Sequence, residues 1–201
     1  MPSTKDTFSL IKEAYQGRGV SVRAVSVSAS EALHASKRAI FALHRNDRTQ
    51  AETLLADAAT HFSTAEALMK KEPSLSGVGA YRAGLEEYAE ALLFFEYQRE
   101  GKIVGDVDAR VLEPDIFIGG LSDATGEIVR DAVRRATQGD HVAVRRAKDA
   151  VETAVAYLME LDLTGNLRQK FDQAKRNLQT LEHMLYETSL RITHQMDLSA
   201  E

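Results

Sequence analysis

Two acidic pairs in this sequence are spaced as metal-binding carboxylates would be. Glu87 and Glu90 lie in the segment GLEEYAEALLFFEY, and Asp123 and Glu127 lie in GGLSDATGEIVR. Each pair spans about one helical turn, so its two carboxylates project from one face of a helix. Their neighbours are largely apolar, and clustered negative charges are costly there unless a positive group lies between them. Oxygen ligands of this kind suit magnesium or manganese.

The spacing alone leaves a second interpretation open for the first pair. A solvated acidic stripe, with Arg82 paired to Glu86 four residues later, gives the same pattern. For Glu86 we favour that ion pair, and for Glu87 and Glu90 the pattern alone favours the solvated stripe as well.

The second pair is equally ambiguous. Gly119 and Gly120 share its side of the helix, where they would let another helix or a substrate backbone approach closely. The alternative is ordinary tight helix packing, with Glu127 paired to Arg130 or Arg134.

The composition narrows the class of protein. The chain has 201 residues, 44% of them hydrophobic and 27% charged, which is ordinary for one soluble globular domain. It contains no cysteine, so disulfides and thiolate chemistry are excluded. The net charge of −5 argues against a basic coat, and no apolar run is long enough for a membrane span. Neither a GxSxG nor a GxxxxGK[ST] motif occurs, so serine-triad and P-loop chemistry have no support. We expect a cytoplasmic protein.

The elements that must position the acids are helices. Alanine, leucine, glutamate and arginine dominate the stretches between three prolines, and strand signals are weak. We predict an all-α, single-domain bundle of about six or seven helices over 1–201, with 1–20 an unassigned N-terminal segment containing at most a short helix before Gly17 and Gly19. The predicted long helices are Val22 to Arg45, Thr49 to Lys71, Val78 to Arg99, Pro114 to Gln138, His141 to Asp162 and Leu167 to His194.

Four collinear segments resemble one known family. They are SKRAIFALHR (36–45), GLEEYAEA (84–91), PDIFIGGLSDATGEIVR (114–130) and LRQKFD (167–172). Together they are similar to the translin family, and more closely to its translin-associated factor X branch, from about Ser28 to Arg191. One departure is Glu86, where that branch usually carries glutamine.

The resemblance implies a fold, a site and a cofactor. Its members are helical bundles that form closed, hollow oligomers, commonly octamers, around RNA. In the factor X branch, interior carboxylates bind magnesium or manganese and cleave RNA. This set carries over to Glu87, Glu90 and Asp123 as catalytic metal ligands, with Glu127 as a further acidic member. Translin itself lacks the set.

The implied activity is a metal-dependent endoribonuclease with low specificity for single-stranded RNA. The compact form is typical of archaeal homologues in which one chain builds the whole homo-oligomer. The alternatives are a non-catalytic single-stranded RNA- or DNA-binding oligomer like translin, and a purely structural oligomer. His44 is interpreted as a structural or RNA-contact residue. The candidate phosphate contacts are Lys37, Arg38, Arg45, Lys170, Lys175 and Arg176.

Overall fold

The structure is a computed structural model that describes residues 4–75, 77–103, 105 and 107–198, with side chains described up to residue 189. Within those residues the chain forms six α-helices and no β-strand, which confirms the all-α prediction. The helices are α1 (Thr4–His44), α2 (Arg48–Lys71), α3 (Gly79–Glu100), α4 (Pro114–Thr137), α5 (His141–Met159) and α6 (Gly165–Leu198). None of these helices is long and apolar enough to cross a membrane.

The bounds of α2 to α5 lie within three residues of the predicted ones, because local signals set them. Asp47 caps α2 by accepting a hydrogen bond from the Gln50 amide at 3.0 Å. Asp140 caps α5 in the same way through the Ala143 amide at 3.1 Å. Pro114 occupies the first position of α4, where its missing N–H costs nothing.

The prediction that the first long helix begins at Val22 is wrong. α1 begins at Thr4 and runs without a break through Gly17 and Gly19. Glycine lowers helix stability by about 1 kcal/mol relative to alanine but does not force a break. The whole stretch 4–20 is exposed, so this part of α1 lies outside the packed core.

α3 is the central helix of the bundle. It packs against α1 on one side and α4 on the other, while α4 also packs against α5 and α6. Phe62 of α2 contacts the rings of Tyr81 and Tyr88 at centroid distances of 5.7 and 5.4 Å. Phe94, near the acidic side of α3, is fully buried. Burial on nearly every side explains why few positions of α3 are polar.

The glycines of α4 are explained by the approach of α3. A Cβ atom at Gly120 would lie 2.5 Å from the Ala89 Cβ and 2.9 Å from the Glu90 amide nitrogen. At Gly119 it would lie 2.7 Å from the Glu86 carboxyl carbon, which belongs to a flexible side chain that can move. Gly120 is therefore the position where the two helices touch rigidly.

We predict that Gly120→Ala destabilises the protein by about 1–3 kcal/mol, because the added methyl forces α3 and α4 apart. Gly126→Ala in the same helix is the matched control. Its new Cβ would meet only the Asn177 side chain at 3.6 Å. The control should gain about 0.5–1 kcal/mol from higher helix propensity. Denaturant unfolding at one protein concentration measures both, and equal stability of the two variants would contradict the rigid contact.

Candidate active site

Three of the four acids line one cleft between α3 and α4, and the fourth lies near it. Glu87 and Glu90 of α3 and Glu127 of α4 line an open cleft of about 190 Å³, and Phe41 of α1 contributes to a third wall. Asp123 lies one turn before Glu127 and is close enough to Glu90 to raise the pKa of its carboxyl group. The structure thus brings together all four carboxylates that the sequence singles out.

Two lysines from other helices contact the acids. The Lys37 ammonium of α1 lies 2.9 Å from a Glu87 carboxylate oxygen. The Lys170 ammonium of α6 donates hydrogen bonds to both Asp123 and Glu86. Burial raises the pKa of Asp123, and the bond from Lys170 limits that rise. The acidic cleft therefore depends on cations supplied by α1 and α6.

His44 supplies the contact to the fourth acid. Its Nε2 hydrogen-bonds to a Glu127 oxygen, and its ring lies 4.9 Å from the ring of Phe94. Burial opposes ionisation of Glu127, but the His44 bond and charge, together with Arg130 at 3.6 Å, outweigh it and lower the Glu127 pKa. The side chain of His44 is 9% exposed, so the ring holds Glu127 in one position.

Sequence reasoning missed this role of His44, although the residue belongs to the SKRAIFALHR segment. Its position at the end of α1 gives no indication of which acid it meets, because Glu127 is 83 residues away. The periodicity of α1 could only have shown that His44 shares a helical face with Lys37, seven residues earlier.

The predicted ion pair between Arg82 and Glu86 is wrong. The Arg82 guanidinium instead contacts Glu113 at 2.6 Å and Asp115 at 3.8 Å, both at the start of α4. Glu86 turns towards Lys170. Tertiary contacts therefore replace the local i,i+4 pair, and Glu86 extends the acidic cluster rather than lying outside it.

Glu90 is the acid without a cation of its own. Its side chain makes no hydrogen bond or ion pair with any residue that the structure describes. Burial raises the pKa of its carboxyl group to about 8, and the charges of Glu87, Asp123 and Glu127 add to the effect, with Lys37 opposing it. The cluster thus holds more negative charge around Glu90 than the neighbouring lysines offset.

The other two candidate phosphate contacts, one in α1 and one directly after it, lie beside the cleft. Arg38 and Arg45 line a neighbouring groove together with Phe41, which is shared by both depressions. The Arg45 guanidinium donates to the Gln50 side chain at 2.9 Å. These two cations extend the polar surface of the cleft along α1.

The two remaining candidates on α6 are engaged within their own helix. The Lys175 ammonium lies 2.7 Å from Asp172 and 4.9 Å from the ring centre of Phe171. Arg176 donates to the Gln173 side chain. Neither contacts a carboxylate of the cleft in the described part of the chain.

The donor set matches a hard divalent cation in chemistry, since all four groups are carboxylates. Within the described range, however, no group of three or more Asp, Glu and His side chains is arranged to hold a metal ion. Three of the acids contact Lys37, His44 or Lys170, whereas the Glu90 side chain contacts no such group in the described part of the chain. Metal binding would therefore exchange these ion pairs for metal–oxygen contacts.

The helical bundle and its cleft define the class of this protein, which is an all-α protein with several carboxylates gathered at one half-buried cleft. The Translin family model matches residues 27–192, and the chain belongs to this family. No curated protein sequence matches it significantly.

Solved structures with the same fold include two C3PO proteins. The apo-NeC3PO crystal structure is 24% identical, with a TM-score of 0.77, and covers 92% of this chain and 97% of its own. The AfC3PO crystal structure is 19% identical, with a TM-score of 0.82, and covers 92% and 98%. The structure of AfC3PO with duplex RNA is 20% identical, with a TM-score of 0.82, and covers 92% and 97%.

The raised pKa of Glu90 predicts a pH-dependent stability in EDTA. The folded-state pKa of about 8 lies above the ordinary value of 4.5, so the unfolded chain loses this proton first. Ionisation of Glu90 therefore destabilises the fold progressively between pH 4.5 and 8. Glu90→Gln removes this effect, and we expect it to stabilise the protein by about 1–3 kcal/mol at pH 8.

The same substitution should change stability little at pH 4.5, where the group is protonated in the folded state and still about half protonated in the unfolded chain. Thermal and denaturant unfolding at the two pH values measure the difference. The exposed Glu52→Gln is the control and should show no pH-dependent gain. A Glu90→Gln gain that is equal at both pH values would contradict the shifted pKa.

Proposed function

We propose that this chain is a metal-dependent endoribonuclease that cleaves single-stranded RNA with low sequence specificity. The observation that supports the proposal is that Glu87, Glu90 and Glu127 line one cleft, with Asp123 close enough to Glu90 to raise its pKa. Burial and the charges of the other three acids raise the pKa of Glu90, and natural sequences accept such a cost chiefly at functional sites.

Magnesium or manganese is the proposed cofactor. Glu87, Glu90 and Asp123 would hold it, with Glu127 as a further acidic member. When bound, such an ion lowers the pKa of water and stabilises charge on a phosphate oxygen. The lone, partly protonated Glu90 supports this assignment, because it is the carboxyl group that would benefit most from a nearby cation.

The chain's own residues would orient the reactants. Glu127 is ionised because its pKa is lowered, and His44 fixes it, so it can accept a hydrogen bond from the attacking water. The water oxygen would then form a bond to phosphorus while the P–O bond to one ribose oxygen breaks, the water proton passes to Glu127, and the leaving ribose oxygen takes up a proton from solvent. Lys37 and Lys170, released from their carboxylates, would neutralise the phosphate oxygens.

RNA as the substrate class is supported by charge and by the related fold. Arg38 and Arg45 lie beside the cleft, where phosphates flanking the cleaved bond would pass. AfC3PO was solved with duplex RNA. We therefore include duplex RNA beside single-stranded RNA and single-stranded DNA when testing this chain.

We predict that the purified protein cleaves labelled single-stranded RNA in manganese and that EDTA abolishes the cleavage. Glu87→Gln and Asp123→Asn should each lower the rate by about 10²-fold or more, since each removes a charge that acts on the transition state. Glu52→Gln, an exposed acid of α2, should keep the wild-type rate. Wild-type rates in both cleft variants would disprove the catalytic assignment.

The same assay separates the alternative function. A wild-type protein that binds RNA at low salt but leaves it intact in manganese would be a non-catalytic binding oligomer. A protein that neither binds nor cleaves RNA or single-stranded DNA would contradict both nucleic-acid functions.

A closed homo-oligomer, an octamer in our proposal, is supported by uncovered apolar residues. Phe8, Ile11 and Tyr15 lie on one face of the α1 extension and are 70%, 61% and 79% exposed. An isolated helical arm with such a stripe is marginal in water unless another surface covers it.

We predict a mass in light scattering of about 178 kDa, that is, eight copies of the 22.2 kDa chain. Ile11→Glu should reduce this mass, because it places a charge in the apolar stripe. Glu13→Lys alters a charge on the opposite face and should leave the mass unchanged. A monomeric wild-type protein, or equal effects of the two substitutions, would contradict the proposed contact.

A further inference from the structure

A second polar pocket lies away from the acidic cleft, where the α1–α2 turn meets α5 and the C-terminal ends of α3 and α4. Its volume is about 250 Å³, larger than that of the acidic cleft. Its lining includes Arg48, Tyr97, Gln98, Asp131, Arg135 and Arg146. The proposed nuclease function uses none of these residues.

The lining carries three guanidinium groups and one carboxylate. That carboxylate, Asp131, is only 2% exposed and is already bound by Arg134 at 2.7 Å and Arg135 at 3.4 Å. Arg135 also contacts Asp140 at 3.3 Å. Arg134 and Arg135 therefore form ion pairs with the acids of this region. Among the described residues, the charges of Arg48 and Arg146 have no acidic partner.

Both remaining arginines are held in place by neutral groups. The Arg48 guanidinium donates to the backbone carbonyl of Gln98 at 3.1 Å. The stem of Arg146 packs on Gly101, where a Cβ atom would lie 2.7 Å from the Arg146 Cδ. Gly101 ends α3 with a φ of 73°, so the backbone there favours glycine and leaves space for the arginine.

We propose that this pocket binds a phosphate dianion, either free or as the terminal phosphate of a nucleotide. The formal charge of the lining residues is +2, which a phosphate dianion would neutralise. Planar guanidinium groups pair with phosphate through two hydrogen bonds at a time. The volume is below the range of about 300–1,000 Å³ usual for larger ligands, which suits a phosphate with little else buried. The proposal is independent of the nuclease function.

Titration calorimetry in EDTA at low ionic strength tests this site, with inorganic phosphate in one arm and a nucleoside 5′-monophosphate in the other. The wild-type protein should bind at least one of them. Tighter binding of the nucleotide would identify the ligand as a nucleotide phosphate, and equal binding would identify free phosphate as sufficient. Absence of binding in both arms would overturn the proposal.

Two matched variants locate the binding. Arg146→Gln should weaken phosphate binding about tenfold or more, which corresponds to 1.4 kcal/mol or more. Arg145→Gln removes the same charge from the adjacent exposed residue, outside the pocket, and should change the affinity by less than about twofold. Equal weakening by both variants would mean diffuse attraction rather than a site, and would overturn the proposal.

A third variant excludes the acidic cleft as the location. Lys37→Gln removes a cation from that cleft, so unchanged phosphate binding supports the arginine pocket and lost binding contradicts it. Unfolding temperatures of the Arg145 and Arg146 variants should match the wild type, because both side chains are exposed. Sulfate that binds as tightly as phosphate would overturn the assignment to phosphate.

Discussion

The backbone contact between α3 and α4 at Gly120 is the constraint on which the candidate site depends. A Cβ atom there would lie 2.5 Å from the Ala89 Cβ, so the helices are as close as glycine permits. At this separation, acids of the two helices face a common space, and Glu90 comes within electrostatic range of Asp123 and Glu127. A wider spacing would turn the same four acids into two independent stripes that water and surface cations could neutralise separately. Packing in the core therefore decides whether the carboxylates act as one group.

The clustered acids carry negative charge that the side chains of the two neighbouring helices neutralise only in part. α1 contributes Lys37 and His44, and α6 contributes Lys170, so four helices meet at the cleft. These contacts leave Glu90 with a pKa raised to about 8. A fold optimised for stability alone would place an amide or an apolar residue at that position. The retained acid is the kind of local conflict that marks functional sites, where stability is lost for chemistry.

Local signals made most helix bounds predictable, the four acids were selected through the family resemblance, and the long-range contacts were not predictable. Asp47, Pro114 and Asp140 define helix ends through interactions with residues nearby in sequence, and acidic spacing follows from helical geometry. In contrast, Glu86 meets Lys170 84 residues later, and no periodicity links the two. The prediction of a break near Gly17 was wrong because helix propensity is a weak preference that a long helix overrides. Nothing in the sequence indicated the arginine pocket either, since its lining residues come from four helices and one turn.

The fold alone does not decide between catalysis and simple binding of nucleic acid. One helical bundle can host both functions, because function resides in the side chains of a site rather than in the architecture. The discriminating feature in this chain is that its cleft combines two carboxyl groups of different acidity. Glu127 has a lowered pKa and is hydrogen-bonded to His44, whereas the pKa of Glu90 is raised to about 8. A surface that only binds phosphates gains nothing from four acids, since each one repels the ligand. Acids at the centre of a cleft with lysines and arginines at its margins are therefore the feature on which the proposal of cleavage rests.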